Sequence, residues 1–235
     1  MNLFDIEFSF QTNFLPPPLA FAYVLKISSK SLDEGKPEVD LEIEYLDRED
    51  FSDEMLLEEG APINDYLEWS GKLNGAWQNP IKELLRQITV GNEQDQNEDY
   101  LYMVSADKTG HVKDVAEVQA LLQEVIQAIY ETAKIERPLN LEILQGADTF
   151  LSLEGQFSVR SLVINGTKMP WADLRLVLGY LENLELSETP SPLNKVRKGL
   201  WITYDQANYY KIHGLMAEKD SKKIIELLQE NILGQ

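Results

Sequence analysis

Residues 39–45 read VDLEIEY. Val39, Leu41, Ile43 and Tyr45 alternate with Asp40, Glu42 and Glu44. A period of two puts the apolar set on one face of a β-strand and the carboxylates on the other. Residues 4–10 repeat the pattern, with Phe4, Ile6, Phe8 and Phe10 set against Asp5, Glu7 and Ser9. Between them, Pro16, Pro17 and Pro18 form a stiff connector without backbone donors, and the apolar stretch Leu19 to Ile27 follows as a third strand. The reading predicts strands over 4–10, 19–27 and 38–46.

The pattern then turns helical. Asp50 or Ser52 is placed to cap a short helix that Gly60 stops. Ile63, Tyr66 and Leu67 read as a further helical turn ending near Gly71. Asn79-Pro80 opens a helix over 80–89 carrying Ile81, Leu84, Leu85 and Ile88. After a polar, acidic loop from Gly91 to Asp99, residues 100–104 read as a short strand. The strongest helix runs over 114–135, with Asp114 and Glu117 as a capping box and Val118, Leu122, Val125 and Ile129 on its stripe.

The order repeats in outline. Strands are predicted around Leu139–Ile143, 149–153 and 157–164. The Asn165-Gly166 turn is a hairpin signal, and helices follow over 171–184 and 220–233. Between those helices, residues 200–204 and 208–213 form a hairpin. Short turns between consecutive strands imply antiparallel pairing, and helices gathered after them imply an α+β fold of antiparallel sheets packed against helices. The element order suggests two similar βββ-α-β-α halves, taken as 1–110 (acidic) and 111–235, although no residue-level repeat is visible.

Charge bounds the function. Forty acidic against 21 basic residues give a net charge of −19 over 235 residues, and Cys is absent. Disulfides, thiolate metal sites and cysteine nucleophiles are therefore excluded. A binder of the phosphate backbone needs a positive footprint, which this chain lacks. The first basic residue is Lys26, and the apolar run Leu19 to Leu25 is far shorter than a membrane span. The expectation is a soluble cytoplasmic protein. Residues 33–59 hold 13 acidic residues against Lys36 and Arg48.

Phosphate-loop, dinucleotide, zinc-protease, EF-hand and nucleophile-elbow patterns are absent, so no cofactor, metal or catalytic residue is assigned. Of the two histidines, His111 precedes the long helix and His213 ends a strand, with Asp205 placed across the hairpin as an orienting partner. Lys195, Arg197 and Lys198 form the only basic knot. Two stretches read as contact surfaces for a basic protein partner: the acidic set Asp40, Glu42, Glu44, Glu49 and Asp50, and the aromatic hairpin with Trp201, Tyr204 and Tyr209. The leading expectation is a non-enzymatic acidic interaction protein, such as an inhibitor or immunity-type protein. The alternative is a metal-assisted hydrolase or transferase, which requires strand-face carboxylates converging on one point. A mimic of nucleic-acid charge is a third reading, and it requires carboxylates spaced like phosphates.

Overall fold

In the computed structural model, which describes residues 4–95, 98–145, 148–181, 184–196 and 199–213, the alternating segments are strands. They belong to two compact units, Met1–Glu136 and Arg137–Gln235.

The first unit contains β1 (Ile6–Gln11), β2 (Phe21–Ile27), α1 (Ser29–Asp33), β3 (Glu38–Tyr45), α2 (Asp53–Glu58) and β4 (Tyr66–Lys72). A 3-10 turn (Gly75–Trp77) leads into α3 (Gln78–Gln87), followed by β5 (Val90–Gly91), β6 (Tyr100–Val104), β7 (Thr109–Val112) and α4 (Val115–Thr132). The strands form one antiparallel sheet in the order β4-β3-β2-β1-β6-β7-β5. Ser28 and Ser52 cap α1 and α2, accepting from the backbone N–H of Ser31 and Met55.

One expectation fails at β4. The helical turn predicted around Ile63, Tyr66 and Leu67 is replaced by a strand that pairs Leu41 with Trp69 and Glu42 with Glu68. Leu67 and Trp69 alternate with exposed Glu68 and Ser70, a period of two hidden beside Gly71. That glycine is a packing device. A Cβ built at residue 71 would lie 2.5 Å from a ring carbon of Trp69, so only glycine admits the indole.

The inner face carries Phe8, Phe10, Leu25, Ile27, Leu41, Leu101 and Met103, all at 2% exposure or less. Val118, Leu122, Val125 and Ile129 of α4 are buried as well. A hydrogen bond between the Tyr130 and Tyr45 side chains ties α4 to β3. The long helix thus belongs to the first unit, which ends at Glu136. The expected capping box does not form. Asp114 has φ of 54° and makes no side-chain cap bond, because a left-handed backbone does not aim the carboxylate back along the helix. Lys108, from the β6–β7 turn, closes the C-terminal end of α3. Its ammonium donates to the carbonyls of Leu85 at 2.9 Å, Arg86 at 3.3 Å and Ile88 at 2.7 Å, and cationic charge at a helix C-terminus is favourable.

The second unit contains β8 (Leu139–Gln145), β9 (Asp148–Gln156), β10 (Ser161–Ile164), β11 (Thr167–Met169), α5 (Ala172–Leu181), β12 (Glu185–Leu186), β13 (Leu200–Thr203) and β14 (Tyr210–His213). The sheet order is β11-β10-β9-β8-β13-β14-β12, the same order, strand for strand, as in the first unit. Asn165 (φ 49°) and Gly166 (φ 77°) make the β10–β11 turn, both in the left-handed region that a two-residue hairpin needs. Leu141, Leu153, Leu162, Ile164 and Ile202 form the core with Leu174 and Val177 of α5. On the opposite face Leu144, Val196, Trp201 and Tyr209 form a smaller buried cluster. The helix predicted over 220–233 lies outside the described residues. The described helices include none long and apolar enough to cross a membrane.

Candidate functional site

The outer face of the first sheet gathers the acidic strand residues. Strand register sets three rows across it. Glu7, Lys26, Asp40 and Ser70 stand in one row. Tyr102, Ser9, Val24, Glu42 and Glu68 stand in the next. Tyr100, Gln11, Ala22, Glu44 and Tyr66 stand in the third. The face is acidic at its β3–β4 side and aromatic at its β6–β7 side. There His111 meets Tyr100 and Tyr102 edge to face, with ring centroids 5.5 and 5.1 Å apart.

The Lys72 ammonium of β4 stands 3.7 Å from Glu38 Oε2 at one end of the acidic side, and Lys26 stands within it. The Lys26 ammonium lies 3.1 Å from Glu42 Oε1 and 3.7 Å from Asp40 Oδ2. The Glu42 hydrogen bond, with the charges of Glu42, Asp40 and Glu7, outweighs partial burial and holds the lysine above its ordinary pKa. Glu42 also faces Glu68 directly across the β3–β4 pair, a like-charge apposition. Desolvation, and then the carboxylates of Glu42 and Glu68, hold the Tyr66 phenol above its ordinary value.

Between the two sides lies a shallow depression of ≈ 250 Å³. Ala22 and Val24 give it an apolar floor, Glu42 and Glu44 an acidic wall, and Tyr66 and Tyr100 two rings. Carboxylates over an aliphatic floor suit a lysine or arginine side chain, whose stem is apolar and whose head is cationic, and the two rings stand at opposite ends of the depression, on β4 and β6.

Other residues singled out from the sequence stand elsewhere. Glu49 and Asp50 are exposed in the loop after β3. Arg48 anchors that loop. It stacks 3.9 Å over the Tyr45 ring and donates to the carbonyls of Pro18 at 2.8 Å and Pro62 at 2.7 Å. Asp5 leaves the acidic face to receive the backbone N–H and hydroxyl of Ser29. Partial burial would raise its pKa, but these bonds prevail and hold the carboxyl below its usual range.

In the second unit Trp201 and Tyr209 are buried at 8% and 4% exposure, and Tyr204 is exposed at 47%. The expected His213–Asp205 pair is not made. Asp205 sits in the turn, accepting the N–H groups of Asn208 at 2.8 Å and Ala207 at 2.9 Å, which draws its pKa down to about 2. His213 ends β14 at the far end of the hairpin, opposite Glu185. Lys195 ends a 3-10 turn, and Arg197 and Lys198 lie outside the described residues.

Sequence reasoning missed Tyr66, Glu68, Tyr100, Tyr102 and His111 as members of the acidic face. The alternation of Leu67 and Trp69 with Glu68 and Ser70 was the signal for the first two. Among the described residues, no group of three or more His, Asp or Glu side chains is arranged to hold a metal ion. The face carboxylates are spread over strand rows. Compared with protein-family models, with curated proteins and with solved structures, the chain matches none.

Proposed function

We propose that the chain is a cytoplasmic, non-enzymatic interaction protein whose first unit covers a basic surface of another protein, as an inhibitor or immunity-type protein does. The observation that supports this is the depression in which Glu42 and Glu44 stand over the apolar floor of Ala22 and Val24. The spread of the other carboxylates across the same face supplies a field that speeds encounter with a positive partner.

The test begins with a pull-down at low salt, repeated at high salt. Association rates for the recovered partner are then measured against ionic strength. Glu42→Gln with Glu44→Gln slows association roughly tenfold at low salt and flattens the salt dependence. Glu49→Gln with Asp50→Asn, outside the depression, has the smaller effect. Equal rates for wild type and the Glu42 and Glu44 variant, with no salt dependence in either, would refute the proposal.

A further inference from the structure

β4 closes one side of the first sheet, and among the described residues no strand pairs with its outer rim. Its register on β3 decides which groups that rim offers. The Tyr45 N–H donates to the Asp65 carbonyl at 2.9 Å, and the Leu73 N–H donates to the Pro37 carbonyl at 2.8 Å. Along an antiparallel strand, successive residues turn their backbone groups toward the neighbour and then away from it. The odd-numbered residues from Asp65 to Leu73 therefore bond to β3. Tyr66, Glu68, Ser70 and Lys72 turn their N–H and C=O groups to the open side, and these four are also the exposed residues of the strand. Such a row of donors and acceptors is a template for one more strand.

The side chains along the rim select that strand. Glu68 faces Glu42 across the β3–β4 pair, and among the described residues it makes no ion pair. The Lys72 ammonium lies 3.7 Å from Glu38, and its side chain is still 61% exposed. Consider a second copy of β4 laid antiparallel, with Ser70 opposite Ser70 on a two-fold axis. Glu68 of each copy then stands opposite Lys72 of the other, so two opposite-charge pairs form at once. All of these positions carry free backbone groups, so the ladder of hydrogen bonds is kept. A register with Trp69 on the axis opposes Glu68 to Ser70 and forgoes both pairs. Registers that set Glu68 against Glu68, or Lys72 against Lys72, place like charges directly across the strands, which is unfavourable. The two-fold contact is self-complementary and closed, since it leaves neither copy of β4 open. We propose that β4 is a self-association edge, through which two copies of the chain join their first sheets in the register centred on Ser70.

The pairing is weak. Two short strands bury little beyond their ladder, and each copy carries a net charge of −19. The chain is therefore a monomer at low micromolar concentration, and the test uses about 10–500 µM protein in about 0.15 M salt, which screens charges beyond about 8 Å. In sedimentation equilibrium the full-length wild type moves from 26.9 kDa toward twice that mass. Lys72→Glu and Glu68→Lys each weaken association about tenfold, because each turns two attractions into two repulsions. They do so although they shift the net charge in opposite directions, which separates the pairing from general repulsion. An equimolar mixture of the two variants regains the dimer, since the carboxylates of one chain then face the ammoniums of the other. Ser70→Cys gives the chain its only thiol, and mild oxidation links it into a dimer. Tyr66→Cys, distant from its own counterpart in this register, does not cross-link. A wild type that stays monomeric over the whole range overturns the proposal. So do charge variants that associate as wild type does, a mixture no stronger than its components, or equal cross-linking of the two thiol variants.

Discussion

The two units share one strand order and differ in almost everything their outer faces display. The first holds 28 acidic and 10 basic residues, net −18, and the second 12 and 11, net −1. In β3 the outward positions are Glu38, Asp40, Glu42 and Glu44. In β10, which holds the same place in the second sheet, they are Ser161 and Val163. The topology therefore does not demand the carboxylates. A second contrast follows the same lines. Tyr102 of β6 and Trp201 of β13 occupy equivalent outward positions, since their neighbours Met103 and Ile202 both face a core. The second unit covers its aromatic with Val196 and Tyr209, whereas the first leaves Tyr102 half-exposed beside His111. Shared inner faces make the fold, and the outer faces carry what distinguishes one unit from the other.

The largest expected effect tests the shared part. Met103→Ala and Ile202→Ala remove equivalent core side chains, and each should cost about 2–5 kcal/mol in urea unfolding. A cost well below 1 kcal/mol at either position would end the equivalence of the two cores. Next comes a device seen in the first unit. Lys108→Met leaves three carbonyls at the end of α3 without their cation and should cost about 1–2 kcal/mol. An unchanged urea midpoint would show that water replaces the ammonium without loss.

The third prediction concerns the Asp205 turn of the second unit. Its folded pKa is lowered to about 2, so its contribution is present above the unfolded value near 3.9 and is lost as pH falls toward 2. Asp205→Ala should therefore lower Tm at neutral pH, and the gap to wild type should close between about pH 4 and pH 2. A gap that stays constant with pH would contradict the hydrogen-bonded carboxylate. The smallest effect bears on the charge contrast. Glu68→Gln relieves the apposition with Glu42 and should stabilise the first unit by a few tenths of a kcal/mol, an increment that added salt shrinks. Destabilisation instead would mean that Glu68 serves the fold.

Much of the fold was legible because it is written in local periods. Phe8 and Phe10, Leu41 and Ile43, and the stripe of α4 all announce their faces within a few residues. β4 was not legible, because Asn64, Asp65 and Gly71 resemble the punctuation of turns and only pairing with β3 makes the segment a strand. The two-residue β5 has no period to read. Asp114 matched the letters of a capping box, but its positive φ is set by the turn from β7. The candidate site was half legible. Asp40, Glu42 and Glu44 lie on one strand, whereas Tyr66 and Tyr100 join them only across five strands. The bond between Tyr45 and Tyr130 was invisible, since the two are separated by more than 80 residues and meet only through packing.

The position of β4 at the rim of its sheet has one more consequence. β5, β11 and β12 also end their sheets, but they span only two or three residues and offer little backbone for another strand to join. β4 spans seven, Tyr66–Lys72, with Glu68, Ser70 and Lys72 exposed. A long open ladder invites another chain to add on, and charge along the rim is a common guard against it. Here that guard is the carboxylate of Glu68 and the ammonium of Lys72, both exposed along the rim. Removing both charges should thus unlatch the edge, and self-assembly into cross-β material should begin at β4.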